Sequence, residues 1–286
     1  ADASQFLPQP PEAIGSNNWA ISGKRSKSGN PILSNDPHLG LNLPSIWYMM
    51  HLNCPNLNVM GVTIPGAPGI ILGFNDNISW GATNGYDDVM DWYDITFKDS
   101  TQTEYQYKNK WHPTRKEVEK IKIKGQPTFY DTITYTHHGP VVWDHLNQTP
   151  ALGKSQVRHG VRQTAEGRAL RWLAHDASNE MRALYRVNHA ENYVQFVNAL
   201  KTYTCPGQNF VYADVNGNIA IWHSGNQPAK WDGQGMLIMD GNDPLYDWQA
   251  VIPHGQKPHI LNPKRGYVSS ANQHVTDEDY PYFLSS

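Results

Sequence analysis

Short runs of β-branched and aromatic residues recur along this chain, and a turn-forming sequence follows most of them. Residues 18–37 contain two such runs around Ser28-Gly29-Asn30, and residues 70–84 contain two more around Asn75-Asp76-Asn77. β-Branched and aromatic side chains favour strands, whereas Asn, Gly and Asp favour the turns between them. The pattern predicts a fold built largely from short strands in hairpins, with a further turn at Asn216-Gly217.

Other segments add strands of two kinds. Residues 46–65 contain two more strand candidates, and some runs are apolar at consecutive positions, which is typical of strands buried on both faces. Residues 116–143 alternate between apolar and polar residues, which indicates strands with one face in water. The tail from Pro244 onwards is rich in Pro, Asn and Tyr, and we expect it to be irregular.

Two segments have helical periodicity. Residues 178–190 place Met181, Leu184 and Tyr185 on one face of a helix. Residues 192–200 form a second candidate, in which Asn192 followed by Gln195 resembles a capping box. The apolar face of this second helix is predicted to contain Tyr193, Phe196, Val197 and Leu200. Strands and helices together predict a single mixed α and β domain.

The first residues and the charge pattern limit the domain boundaries and the binding partners that can be expected. Residues 1–15 contain three prolines and little periodicity, so we expect a leader or linker before a domain at 16–286. The net charge is −3, and the basic residues at 24–27 are spaced by serine, as in a solvated hairpin end. Because the basic residues form no continuous cluster, nucleic acid is not expected as a partner. A membrane is not expected either, since no apolar run approaches the roughly 18 residues of a membrane span.

Most common catalytic signatures are absent from the sequence. No nucleotide-binding glycine loop, HExxH motif or G-x-S-x-G elbow occurs. The adjacent His137 and His138 would point to opposite faces of a strand, so we do not expect them to share a metal ion. Cys54 and Cys205 show no metal-ligand spacing, and the sequence leaves open whether they form a disulfide.

Ser16, in the stretch "GSNNW", raises a different possibility. A serine hydroxyl needs a base beside it, and cleavage of the Gly15–Ser16 bond would supply one in the α-amine of Ser16 itself. An α-amine titrates at about pH 8, so much of it is neutral and accepts the hydroxyl proton. The other interpretation is an ordinary turn that leads into a strand, and on this stretch alone the turn is favoured.

Longer stretches change that balance. Residues 15–45, 60–93, 135–142, 169–196, 209–225 and 262–281 resemble, in order, the nucleophile-bearing chain of the penicillin acylase family of N-terminal-nucleophile hydrolases. The resemblance implies a four-layer αββα sandwich, here incomplete, and a precursor that cuts itself immediately before Ser16. It implies an amidohydrolase that acts on linear amides through an acyl-enzyme, with a penicillin-type amide or an acyl-homoserine lactone as substrate.

The resemblance also assigns catalytic roles. Ser16 matches the nucleophile, and its α-amine would be the base. His38 matches a position that holds Gln or His beside that amine and would orient it. Asn84 matches the residue whose backbone N–H enters the oxyanion hole, and Asn272 matches the side-chain donor to the same hole. Without the family, each Asn would be interpreted as a turn residue.

Two further sites follow from the resemblance. The segment "YDDVMD" resembles the family's calcium site, with carboxylates from Asp88 and Asp91 and the main-chain carbonyl of Met90. These ligands are fewer than the six to eight oxygens that Ca²⁺ prefers, so calcium is an open expectation. Four residues match positions of the acyl pocket, and their apolar character suits an apolar acyl group. They are Pro37, Leu39, Leu72 and Ala82.

The chain also departs from the family pattern. Fifteen residues precede Ser16, the family's nucleophile chain is longer, and its separate helical α chain, which completes the acyl pocket, is absent here. The resemblance to this family also implies a periplasmic or secreted bacterial protein. Two hypotheses from other classes stay open at this point: a non-catalytic scaffold or binding module, and a calcium-dependent structural module built on residues 86–91.

Overall fold

The computed structural model describes residues 15–40, 42–144 and 166–284. Residues 1–14 of the predicted leader lie outside the described residues, and Gly15 already belongs to the first strand. Strands dominate, as predicted. In chain order they are β1 (Gly15–Ile21), β2 (Ile32–His38), β3 (Tyr48–Cys54), β4 (Leu57–Thr63), β5 (Leu72–Asn75), β6 (Ile78–Asn84), β7 (Met90–Thr96), β8 (Glu104–Tyr107), β9 (Lys110–Pro113), β10 (Arg115–Ile121), β11 (Phe129–Thr136), β12 (Gly139–Asp144), β13 (Glu166–Trp172), β14 (Gln208–Asp214), β15 (Ile219–Ser224), β16 (Met239–Asp240), β17 (His259–Leu261) and β18 (Tyr267–Ser270). Two α-helices, α1 (Glu180–Asn188) and α2 (Tyr193–Leu200), lie between β13 and β14.

A seven-stranded antiparallel sheet forms the centre, in the order β17-β15-β14-β6-β5-β4-β3. Strand β14 is buried along almost its whole length because both of its faces are covered. Phe210 and Tyr212 contact the helices on one face, while Val211 and Ala213 contact a second sheet on the other. The consecutive apolar residues of this strand therefore do follow from burial on two faces.

Three layers are stacked in this part of the molecule. Helices α1 and α2 pack on one face of the seven-stranded sheet through Ala183, Val187, Phe196 and Leu200. A three-stranded sheet, in the order β18-β1-β2, packs on the other face through Ala20 and neighbouring apolar residues. The arrangement is an α+β fold with a pair of β-sheets at its centre, and β1 is the middle strand of the smaller sheet.

A six-stranded sheet, in the order β10-β11-β12-β13-β7-β16, forms a second unit of packing around Tyr93, Ile95 and Phe97. The β8–β9 hairpin contributes Tyr105 to the same core. Among the described residues, no helix is long and apolar enough to cross a membrane.

The predicted hairpins and both helices are confirmed. The strands β1 and β2, β5 and β6, and β14 and β15 pair around the three predicted turns. Asn192 caps α2 by accepting a hydrogen bond from the backbone N–H of Gln195, but the Gln195 side chain accepts from Glu191 and not from Asn192.

Some expectations from the sequence are wrong. Met181 and Tyr185 are exposed on α1, and its buried face is formed by Ala183, Leu184 and Val187 instead. The tail is not wholly irregular, because β17 and β18 both join sheets. The sequence left the pairing of Cys54 and Cys205 open, and both thiols are free in the structure.

The adjacent histidines differ from expectation as well. They lie in the turn between β11 and β12 and not in a strand, so their rings do not point apart but contact each other, with centroids 3.8 Å apart. His138 is buried, stacks on Tyr93 and bonds the carbonyl of Gly241 through Nε2. Burial, with a smaller effect from the His137 ring, lowers the pKa of His138 to about 4.

We expect this histidine to make the fold sensitive to acid. As pH falls below about 6.5, the unfolded chain gains a proton at this position before the folded chain does, so the free energy of unfolding decreases. The loss should reach about 2 kcal/mol at about pH 5 and level off below the folded-state pKa. Urea unfolding of His138→Gln should show a correspondingly flatter pH dependence than the wild type. His51→Gln, on the exposed face of β3, controls for the substitution itself, and an unchanged slope in His138→Gln would contradict the prediction.

Candidate active site at the start of β1

Ser16 lies at the second position of β1, between β2 and the chain that follows β18. It pairs with Pro37 of β2, while the pairing of β1 with β18 starts only at Asn18, opposite Ser270. The chain beyond Ser270 is thus free to turn across the end of β1. This turn brings Asn272 to Ser16 over a separation of 256 residues.

The side-chain amide of Asn272 joins Ser16 to Asn84. Its Oδ1 accepts the backbone N–H of Ser16 at 2.5 Å, and its Nδ2 donates to the backbone carbonyl of Asn84 at 2.8 Å. One partner only donates and the other only accepts, so both bonds require the same orientation of the amide. Asn272 has a φ of 63°, a left-handed conformation that Asn adopts more readily than most residues. Three of the predicted catalytic residues therefore meet at one point.

The hydroxyl of Ser16 faces the bond that would be cleaved. Its Oγ lies 2.6 Å from the carbonyl oxygen of Gly15. Because a C=O bond is about 1.2 Å long, Oγ is within roughly 4 Å of the carbonyl carbon. This geometry puts the Ser16 hydroxyl and the Gly15 carbonyl side by side.

His38 lies opposite Gly15 in the β1–β2 register. Its ring contacts the side chains of Asp36 and Asn17, not the nitrogen of Ser16. Its Nε2 is 2.9 Å from Asp36 Oδ2 and 3.5 Å from Asn17 Nδ2. The ring still borders the site, since its Nδ1 would be 3.8 Å from a Cβ added at Gly15. The sequence interpretation did not include Asp36, which fixes this ring.

Asn84 ends β6 above a buried polar network that the sequence interpretation also missed. Asn209 Nδ2 donates to Ser270 Oγ at 3.2 Å and approaches the Asn84 carbonyl at 3.4 Å. On its other side, Asn209 Oδ1 is 2.6 Å from Nδ1 of His223, whose Nε2 is 2.7 Å from Asp87 Oδ1. The network holds two groups that contact Asn272: the Asn84 carbonyl, which accepts from its side chain, and the Ser270 hydroxyl, which accepts its backbone N–H at 3.3 Å.

One sequence signal could have indicated this network. A Cβ on Gly207 would lie 1.8 Å from Asp87 Oδ2, and one on Gly85 would lie 2.6 Å from the His223 ring. Glycines directly after Asn84 and before β14 thus mark positions where a buried side chain comes against the backbone.

The predicted pocket residues divide between two sheets. Pro37, which pairs with Ser16, and the exposed Leu39 flank His38 at the end of β2. Leu72 is buried in β5, and Ala82 in β6 packs against the core below the helices. A surface cavity of about 430 Å³ is lined by none of these four residues and lies at the other end of β2 and β6, around Asn30 and Ile78.

Asp88 and Asp91, the predicted calcium ligands, lie together as expected, but a lysine reaches them. Nζ of Lys230 is 2.9 Å from Asp88 Oδ2 and 2.8 Å from Asp91 Oδ1. Met90 is the first residue of β7, and its side chain is exposed. A calcium ion needs oxygen ligands around it, so this set of groups, with an ammonium between the carboxylates, does not fit a bound Ca²⁺.

Comparison with known proteins agrees with the resemblance seen in the sequence. The model of the family described as penicillin amidase matches residues 1–286. The acyl-homoserine lactone acylase QuiP of Pseudomonas aeruginosa is 30% identical over 272 residues, which are 95% of this chain and 32% of that protein. The penicillin acylase 2 proenzyme of Pseudomonas sp. strain SE83 is 28% identical over 94% of this chain and 33% of its own length.

The fold has a solved counterpart. The structure of a thermostable penicillin G acylase from Alcaligenes faecalis superimposes with a TM-score of 0.78 at 24% identity, over 94% of this chain and 46% of that one. The chain spans about a third of the length of the curated relatives it matches.

Asn209 provides a test of the buried network. Asn209→Ala would leave the His223 ring, the Ser270 hydroxyl and the Asn84 carbonyl with fewer partners, and buried polar groups without partners are costly. We expect the free energy of unfolding to fall by about 3 kcal/mol in urea titrations. Asn198→Ala, on the exposed face of α2, is the matched control and should change it by less than about 0.5 kcal/mol. Equal effects of the two substitutions would contradict the network.

Proposed function

The chain belongs to the penicillin amidase family, and we propose that it carries the nucleophile of an enzyme that hydrolyses linear amides. The observation that carries the proposal is the meeting of Ser16, Asn272 and Asn84 at the start of β1. Nothing in the local sequence around Asn272 requires it to contact Ser16, and yet the contact joins the residues that amide hydrolysis would use.

The first step of the proposal is cleavage of the Gly15–Ser16 bond. Ser16 Oγ attacks the Gly15 carbonyl carbon, the acyl group moves from nitrogen to oxygen, and water then hydrolyses the ester. The products are a Gly15 carboxylate and a free amine on Ser16. The 2.6 Å contact between Oγ and the Gly15 oxygen supports this step, since a reacting pair must start close together.

The released amine then serves as the base for amide substrates. It accepts the Ser16 hydroxyl proton while Oγ attacks the acyl carbon, and it later gives that proton to the leaving nitrogen. A water molecule, activated by the same amine, releases the acid from the acyl-enzyme. Asn272 Oδ1 is already directed at this nitrogen and would hold the amine in position, while His38 lies opposite Gly15 in β2.

Charge on the acyl oxygen needs donors in the tetrahedral state. In the proposal these are the backbone N–H of Asn84 and Nδ2 of Asn272, which has two hydrogens and uses one on the Asn84 carbonyl. A donor that is fixed before the reaction loses no orientation energy during it, and the buried network below Asn84 supplies that fixation.

The substrate class is a linear amide with an apolar acyl group. Pro37 pairs with Ser16, Leu39 follows the end of β2, and Leu72 and Ala82 would complete the acyl pocket from the seven-stranded sheet. Similarity to both penicillin acylases and an acyl-homoserine lactone acylase supports two substrates, a penicillin-type side-chain amide and an acyl-homoserine lactone. Assays with both compounds distinguish them.

The rest of the enzyme belongs to the same proposal. A further helical layer would convert the observed helix–sheet–sheet arrangement into a four-layer αββα sandwich, and an α chain of the same precursor would complete the acyl pocket. Exposed apolar residues such as Tyr48 and Met49 on the edge strand β3 support a covering partner. A periplasmic or secreted location follows from the family only.

Covalent labelling tests whether Ser16 is the nucleophile or the scaffold is non-catalytic. Phenylmethanesulfonyl fluoride should add one sulfonyl group to the peptide that begins at Ser16 in the processed protein, as read by peptide mass mapping. Ser16→Ala should abolish both labelling and amide hydrolysis, while Ser28→Ala, in an exposed turn, should retain both. A processed protein that hydrolyses neither amide and is not labelled would support a non-catalytic module.

A further inference from the structure

Lys230 is one of the most deeply buried charged residues of the described chain. Its side chain is 1% exposed, that of Asp91 is 0% exposed and that of Asp88 is 27% exposed. Lysine is rarely buried to this extent unless its charge is paired. Here the ammonium bonds both carboxylates at once, at 2.8 and 2.9 Å.

The second oxygen of Asp91 is also occupied. The indole N–H of Trp248 donates to Asp91 Oδ2, and the Trp248 ring centroid lies 5.5 Å from the Lys230 ammonium. The guanidinium of Arg171 lies on the same ring but bonds Asp176 through two nitrogens. Both oxygens of Asp91 therefore face N–H donors, and Lys230 is the cation that both carboxylates share.

The backbone closes the remaining side of this ion pair. Gly235 has a φ of +89°, and a Cβ added to it would lie 2.1 Å from Asp91 Oδ1 and 3.0 Å from Nζ of Lys230. The chain thus passes directly over the ion pair, at a distance that only glycine permits. No room is left there for the oxygen ligands that a metal ion would need.

We propose that the ammonium of Lys230 takes the place of a divalent cation between Asp88 and Asp91, so that the chain folds without calcium at this site. Ca²⁺ binds six to eight oxygens at 2.3–2.6 Å, whereas Lys230 and Trp248 already bond three of the four carboxylate oxygens that Asp88 and Asp91 offer. An ammonium brings only hydrogens and a positive charge, which repels a second cation. The similarity of "YDDVMD" to a calcium segment thus reflects shared carboxylates with a different counter-ion.

The ion pair connects the site to the rest of the fold. It ties the segment around Lys230 to the start of β7, and Asp88 follows Asp87, which contacts His223 in the network below Asn84. A covalently attached cation keeps this connection whatever the calcium concentration outside the protein.

Thermal unfolding of the chain with calcium or chelator tests this directly. The wild-type melting temperature should be the same in millimolar CaCl₂ and in EDTA, and isothermal titration with CaCl₂ should show no binding. Lys230→Ala should melt about 10 °C lower in EDTA, because the buried Asp91 carboxylate and the partly buried Asp88 carboxylate lose their counter-ion. Calcium should restore part of that loss, since the shorter side chain opens space beside the carboxylates.

Lys201→Ala, at the exposed end of α2, is the matched control and should shift the melting temperature by less than about 1 °C. A wild-type chain that binds calcium or melts lower in EDTA would overturn the proposal. So would a Lys230→Ala chain that melts with the wild type. If Lys230→Ala does not fold, the wild-type titration decides the question alone.

Discussion

The side-chain amide of Asn272 is the contact on which the candidate site depends. It accepts the backbone N–H of Ser16 and donates to the carbonyl of Asn84, so it joins three distant parts of the chain. The contact exists because β18 pairs with β1 and stops at Ser270, two residues before the amide. Strand register therefore sets the site, since a shift of one residue would turn the chain beyond β18 to the other face of the sheet.

Two buried polar networks next to each other in the fold are stable for the same physical reason. Asn209, His223 and Asp87 form one chain of hydrogen bonds below Asn84, and Lys230 pairs with Asp88 and Asp91 beside it. A buried polar atom without a partner destabilises a fold, whereas a fully bonded set rigidifies it. Because Asp87 and Asp88 are adjacent, the two groups share one short segment of backbone. Rigidity at the end of β6 is what an oxyanion donor requires.

The sequence predicted most of the hairpins and both helices, because their signals are local: turn residues between β1 and β2, and an Asn cap before α2. It did not predict β18, whose four residues pair with β1 at the opposite end of the sequence. It also did not predict the buried face of α1, which contains Ala183 and Val187 and not the larger Met181 and Tyr185. The site residues came from family resemblance, and the structure brings Ser16, Asn84 and Asn272 together. Lys230 could not be found from sequence, since 139 residues separate it from Asp91 and only the folded backbone at Gly235 closes over the pair.

The proposed chemistry depends on cleavage of the Gly15–Ser16 bond, which would make Ser16 an N-terminal nucleophile. Intact mass and N-terminal sequencing of the purified protein that carries this chain, before and after incubation, test it most directly. We predict a new N-terminus that reads Ser-Asn-Asn-Trp, formed by a cleavage that Ser16→Ala abolishes and Ser16→Cys retains in part. A folded protein in which the Gly15–Ser16 bond stays intact while linear amides are hydrolysed would contradict it, because the nitrogen of Ser16 would then be an amide and not a base.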